Sequence, residues 1–104
     1  MTKPYYADYV NRMLRFYARS GLVDAGGEIR FRTTVDKQNW ESVDRVLQGL
    51  SKRDKYVIME VYGRGDTLAD NIYEIAKELR VNQDSIWSLI SKVTRMIAKE
   101  RKLI

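Results

Sequence analysis

The residues best suited to chemistry stand near the carboxyl end of the chain: Asn82, Gln83, Asp84, Ser85, Ser88, Ser91, Lys92, Arg95 and Lys99. Placed on a helix at about 100° per residue with Ile86 as origin, Asp84, Ser88, Ser91, Arg95 and Lys99 fall on the opposite side. Ser85, Trp87 and Lys92 flank them. Short amide and hydroxyl side chains can exchange hydrogen bonds with base edges, while Lys and Arg can meet phosphates. The chemistry on offer is therefore recognition of a polyanion. For Lys92, Arg95 and Lys99 the competing explanation is an ordinary solvated helix face. Trp87 is expected to pack against another helix rather than to touch thymine methyl groups.

Bond-making chemistry has little to work with. The chain contains no cysteine and no histidine, which removes thiolate and imidazole metal ligands, Ser-His and Cys-His nucleophile systems, and the commonest general base. No catalytic residue, metal or cofactor is expected, and an enzyme is the least supported class. Glu74 and Glu78 with Lys77 read as surface helix charges. Asp66, Asp70 and Asp84 match no cation-binding loop spacing. Arg64-Gly65-Asp66 is a chance tripeptide, and the surrounding glycines lack the phosphate-loop pattern and its lysine.

The formal net charge is +5, which favours a polyanionic partner, and its location is uneven. From Ser51 to Val81 acids and bases cancel, whereas from Asn82 onward Lys92, Arg95, Lys99, Arg101 and Lys102 outweigh Asp84 and Glu100. A second excess lies in the first helix, where Lys3, Arg12, Arg15 and Arg19 face Asp8 alone. No amino-terminal apolar core of a signal peptide is evident, and no apolar run approaches the roughly 20 residues needed to span a bilayer. A cytoplasmic chain with no membrane partner is expected.

The elements that position these residues follow from periodicity and caps. Pro4 stands near the first turn of a helix running to about Ser20, with Gly21 as its stop. Tyr6, Tyr9, Val10, Met13, Leu14 and Tyr17 recur at spacings of three and four, which reads as packing rather than a base-stacking platform. Asp24 to Glu28 is a flexible connection, and Ile29 to Thr33 a loop or arm carrying Arg30 and Arg32. A second helix spans about Asp36 to Gly49 on the stripe Trp40, Val43, Val46, Leu47 and Leu50. Ser51 and Asp54 form an Asp variant of the capping box for a third helix. That helix carries Tyr56, Val57, Met59, Val61 and Tyr62, and it ends before Gly63. The fourth begins near Asp70 or Asn71 and ends near Leu79 or Arg80. Asn82 caps the fifth, which runs from Gln83 to about Lys102 with Ile86, Leu89, Ile90, Val93, Met96 and Ile97 inward. The fold expected is all-α, about five helices without a wing: a helical extension at 1–49 and a helix-turn-helix domain at 50–104.

The last two helices meet the requirements of a helix-turn-helix, in which a short turn joins a supporting helix to a longer, more basic one. Ala76 leaves room for close approach, Val81 plugs the turn, and Ile86 and Ile90 pack back on Ile75 and Leu79. The run Leu50-Ser51-Lys52-Arg53-Asp54-Lys55-Tyr56-Val57-Ile58, followed by Glu74-Ile75-Ala76 through Ile86 and Val93, resembles region 4 of the sigma-70 family. The whole chain also resembles small phage or prophage sigma-like transcriptional regulators. The resemblance implies a domain that reads promoter-like double-stranded DNA through Asn82, Gln83, Asp84, Ser85, Ser88, Ser91, Lys92 and Arg95, with RNA polymerase as a further partner. Three departures stand out. The loop from Gly63 to Asp70 is long, Arg80 stands where a glycine commonly ends the supporting helix, and Asp84 puts a carboxylate at the groove. The first 50 residues hold no promoter-melting segment, so a regulator is expected rather than a complete sigma factor.

Two other readings remain open from the sequence. One is a protein-interaction adaptor docking on RNA polymerase, and the other is the DNA-recognition subunit of a phage packaging terminase. The tyrosine-rich first helix either supplies a homodimer face or closes the core of a monomer.

Overall fold

The computed structural model describes residues 4–23 and 31–104, and every regular element among them is a helix. In chain order these are α1 (Ala7–Val23), α2 (Thr34–Gln48), α3 (Lys52–Gly63), α4 (Leu68–Leu79) and α5 (Gln83–Glu100). The all-α architecture of about five helices is thus what the chain adopts. None of these helices is long and apolar enough to cross a membrane. Lys3, the Gly26-Gly27 connection and Arg30 lie outside the described residues.

Local signals account for most helix starts. Thr33 Oγ1 accepts from the amide of Asp36 at 3.1 Å and caps α2. Ser51 Oγ accepts from the amide of Asp54 at 3.1 Å and caps α3. Asn82 Oδ1 accepts from the amide of Asp84 at 2.8 Å and caps α5. Each side chain satisfies an amide that the helix itself leaves without an acceptor.

Several boundaries differ from the expected ones. α1 continues through Gly21 to Val23, because glycine lowers helix propensity but keeps its amide and so does not by itself end a helix. α4 starts two to three residues earlier than expected, at Leu68, behind Thr67, whose side chain makes no capping bond. Leu68 packs on the core, and that burial recruits the first turn into the helix. The irregular stretch between α3 and α4 is consequently only Arg64 to Thr67. α2 begins at Thr34 and α5 ends at Glu100, small differences from the expected Asp36 and Lys102.

One core runs through all five helices. Val10 and Leu14 of α1, Val43 and Leu47 of α2, Ile58, Val61 and Tyr62 of α3, Ile72 and Ile75 of α4, and Val93 and Ile97 of α5 are buried together. α1 packs against α2, α3 and α5, so the core continues across the expected boundary at residue 49. The tyrosine stripe divides: Tyr17 is buried, Tyr6 and Tyr9 are partly buried against the core, and Tyr5 is exposed. Inward positions also shift within helices. On α3, Tyr56 is exposed and Ile58 is buried; on α5, Met96 is exposed while Thr94 and Ala98 are buried. The α5 register changes because this helix meets α4, α1 and α2, so its buried face is wider than a single stripe.

The α3–α4 connection is held by polar contacts that hydrophobic periodicity does not report. Asn71, buried on α4, donates to the carbonyls of Val61 at 2.8 Å and Gly65 at 2.7 Å. Its Oδ1 accepts from the amide of Gly65 at 3.1 Å. Arg15 Nη2 donates to the carbonyl of Asp66 at 2.9 Å, and Arg19 pairs with the Asp66 carboxylate. Arg64 is engaged by Glu60, Glu74 and Glu78. Both charged members of the Arg64-Gly65-Asp66 tripeptide are therefore committed within the fold.

Candidate nucleic-acid interface

The turn between α4 and α5 is set by backbone geometry at Arg80, which lies in the left-handed region at φ 56° and ψ 45°. The amides of Arg80 and Val81 both turn back to the carbonyl of Ala76, the latter at 3.0 Å, which closes α4 with a Schellman-type cap. Val81 is tucked against the core beside Leu79, with Ala76, Ile75, Ile86 and Ile90 buried in the same cluster. Ala76 keeps the approach close, and only Arg80, Val81 and Asn82 separate the two helices. The arrangement is a helix, a three-residue turn and a longer second helix.

All nine expected recognition residues are exposed. Two of them carry local duties as well. Asn82 Oδ1 is occupied by the cap, and Ser85 Oγ donates to the carbonyl of Asn82 at 2.6 Å. What these two can still offer a ligand is the Asn82 amide nitrogen and the Ser85 oxygen lone pairs. Among the described residues, Gln83, Asp84, Ser88, Lys92, Arg95 and Lys99 form no side-chain hydrogen bond or ion pair. Trp87, expected to pack on another helix, is instead among the exposed large apolar side chains at 39%, on the flank of the polar face.

Length divides the set. From Gln83 to Ser91 the helix rises about 12 Å, which matches the roughly 12 Å width of the major groove of duplex DNA. Lys92 and Arg95 follow at the edge of such a groove, where phosphates run. Lys99 stands a further turn away, about 24 Å from Gln83. It lines a shallow recess with Met96 and Glu100, facing Arg45, Val46 and Gly49 of α2. Lys99 thus continues the exposed side of α5 one turn beyond Arg95 and borders that recess.

The second basic excess read from the sequence, on α1, is used largely inside the fold. Arg15 and Arg19 hold Asp66, and Arg12 lies over the Tyr9 ring at 5.9 Å. At the other end of α5, Arg101 donates to Asn39 at 2.7 Å and Gln38 at 3.1 Å, and Glu100 pairs with Arg45 at 2.6 Å. These contacts anchor the far end of α5 on α2 and leave the polar side of its beginning exposed.

Sequence reasoning missed one part of the surface. Tyr73 and Lys77, one turn apart on α4, share a cleft of about 570 Å³ with Val81, Asn82, Gln83 and Asp84. Tyr73 is 57% exposed. The available signal was their spacing of four residues on the side of α4 away from Ile72 and Ile75. α4 is also braced by Arg64, whose pairing holds the Glu78 carboxyl below its ordinary range. No protein-family model, curated protein or solved structure matches the chain.

Proposed function

We propose that this chain is a sequence-specific double-stranded-DNA-binding transcriptional regulator of the sigma-region-4-like kind, cytoplasmic and of phage or prophage origin. The observation that carries the reading is the exposed face of α5 from Asn82 to Arg95, on which Gln83, Asp84, Ser88, Lys92 and Arg95 have no partner among the described residues, mounted behind a three-residue turn. Its first part is polar and fits the span of one groove; Lys92 and Arg95 come next, where the phosphates lie. Burial of Ile86, Ile90, Val93 and Ile97 on the other side holds that face in a fixed orientation. The resemblance of Leu50–Ile58 and Glu74–Val93 to region 4 supports the same reading.

Selection of bound sequences from random duplex DNA, followed by gel shifts at about 50 and 200 mM salt, tests it. An enriched motif and steep loss of affinity with salt are expected, since cations on phosphates release counterions. An asymmetric motif supports a monomeric sigma-like mode, and a palindrome a homodimer on two half-sites. Absence of both enrichment and salt-dependent binding overturns the proposal.

Docking on a protein such as RNA polymerase is a compatible second reading. The observation favouring it is a groove of about 360 Å³ between α1 and α2, where Tyr9, Met13, Phe16 and Val35 stand beside Arg12, Asp36 and Asn39.

A further inference from the structure

Arg80 occupies a conformation that disfavours it. At φ 56° its β-carbon crowds the following carbonyl, and glycine is the residue that adopts this region freely. Packing offers no compensation. The side chain is exposed and, like those of Arg53 and Arg95, forms no hydrogen bond or ion pair among the described residues, whereas Arg45, Arg64 and Arg101 are each held by partners. Val81, the next residue, does the apolar work of the turn. The cap needs only the backbone of residue 80, so the guanidinium has no structural task; Lys102 takes the same conformation after α5 at φ 62°, so what singles out Arg80 is its place.

Its place suggests the task. Arg80 stands three residues before Gln83, the first residue of α5, and three after Lys77, which lines the cleft beside Gln83 and Asp84. With the start of α5 in a groove roughly 12 Å wide, the turn just upstream stands at the groove wall. A fork of N–H donors on a permanently charged group suits a phosphate oxygen pair.

We infer that Arg80 is a further DNA contact, taking a backbone phosphate at the rim of the groove that receives α5. The inference rests on the reading of α5 as a recognition helix. The contact fixes register and carries no sequence information itself. The backbone strain is retained because a glycine would close α4 more comfortably but leave that phosphate without a cation.

Arg80→Gly separates the two roles, because it relieves strain and removes charge together. The variant is expected to melt at the wild-type temperature or above it. Its affinity for fluorescently labelled random-sequence duplex DNA should be weaker at low salt. One phosphate contact fewer also lowers the salt slope by about 0.9, so the loss of affinity between about 50 and 200 mM shrinks by about threefold. Arg80→Lys, equally strained but charged, should keep the wild-type salt dependence. If Arg80→Gly melts lower than wild type, Arg80→Asn, which also tolerates the left-handed region, carries the same binding expectation. Unchanged affinity and salt slope in Arg80→Gly, with Lys92→Ala still reducing both, overturns the role of Arg80 and leaves the recognition helix standing. Failure of the wild-type chain to bind duplex DNA at low salt overturns the DNA reading itself.

Discussion

Arg64 grips Glu78 with both arms of its guanidinium, Nη1 to Oε1 at 3.0 Å and Nη2 to Oε2 at 2.7 Å. This fork ties the end of α3 to the last turn of α4, beside the turn that aims α5. The bond from Arg64 is the main reason that the Glu78 carboxyl lies below its ordinary value of 4.5. Asp66 is lowered in the same direction by its bond from Arg19. On acidification the unfolded chain therefore takes up protons before the folded one, and stability falls as pH drops through the folded values. Thermal melts from neutral pH down to about pH 3, a range set by ordinary carboxyl values, should show a steeper decline for wild type than for Glu78→Gln. Parallel declines would remove Glu78 from the acid response.

The alkaline side depends on buried tyrosines. Tyr62 donates to Asn11 Oδ1 at 2.7 Å, and burial pushes its hydroxyl above the ordinary 10.0, with Arg15 opposing the shift. Tyr17 moves the same way through burial, then through the bond it donates to Asp44 and the charge of that carboxylate. The folded chain keeps these protons to higher pH than the unfolded chain does. Their contribution is complete below about pH 10 and is lost as pH rises toward the folded values. Denaturant titrations combined with tyrosinate absorbance should show falling stability above that point, and Tyr62→Phe should flatten the fall.

Removing the Asn71 side chain leaves the Gly65 amide and two carbonyls without their partner. Asn71→Ala is expected to cost roughly 2 kcal/mol, a drop of about 10 °C in Tm for a domain of this size. A change within a degree or two would mean that water replaces the side chain in the α3–α4 connection.

Close approach at the turn depends on Ala76, which is 5% exposed and caps α4 through its carbonyl. Ala76→Leu should destabilise the chain by about 1–3 kcal/mol through overpacking. Within the DNA reading, it should also weaken binding by rotating α5. Wild-type stability in denaturant would show that the two helices are less tightly apposed than the burial implies.

Within the DNA reading, charge and base contacts should separate experimentally. Lys92→Ala and Arg95→Ala are each expected to weaken binding to all duplexes and lower the salt slope by about 0.9. Gln83→Ala and Ser88→Ala should instead relax preference at individual base pairs, by about 1–3 kcal/mol for a good contact. Competition gel shifts with matched and mutated sites distinguish the two classes. An unchanged affinity for the Lys92/Arg95 double variant would place the interface elsewhere.

By itself the sequence determined what short-range physics can determine. Apolar residues at spacings of three and four defined the helices, and the caps at Ser51 and Asn82 placed two starts correctly because each is a bond to an amide two or three residues away. The polar face of α5 was legible for the same reason, since a helix fixes which side chains share a side. Tertiary structure decided whatever depended on distant partners. It drew Leu68 into α4, engaged Arg15 and Arg19 with Asp66, and joined Arg64 to Glu78. It buried Asn71 under the preceding loop, exposed Tyr56, and brought Tyr73 and Lys77 beside the start of α5. Hydrogen bonds and ion pairs between helices leave no periodic trace, so a charge that pairs and one that stays free look alike until the chain is folded. The face from Asn82 to Arg95 was therefore readable as a pattern. That Gln83, Asp84, Ser88, Lys92 and Arg95 on that face are left without internal partners, while Asn82 and Ser85 are not, emerged only from packing.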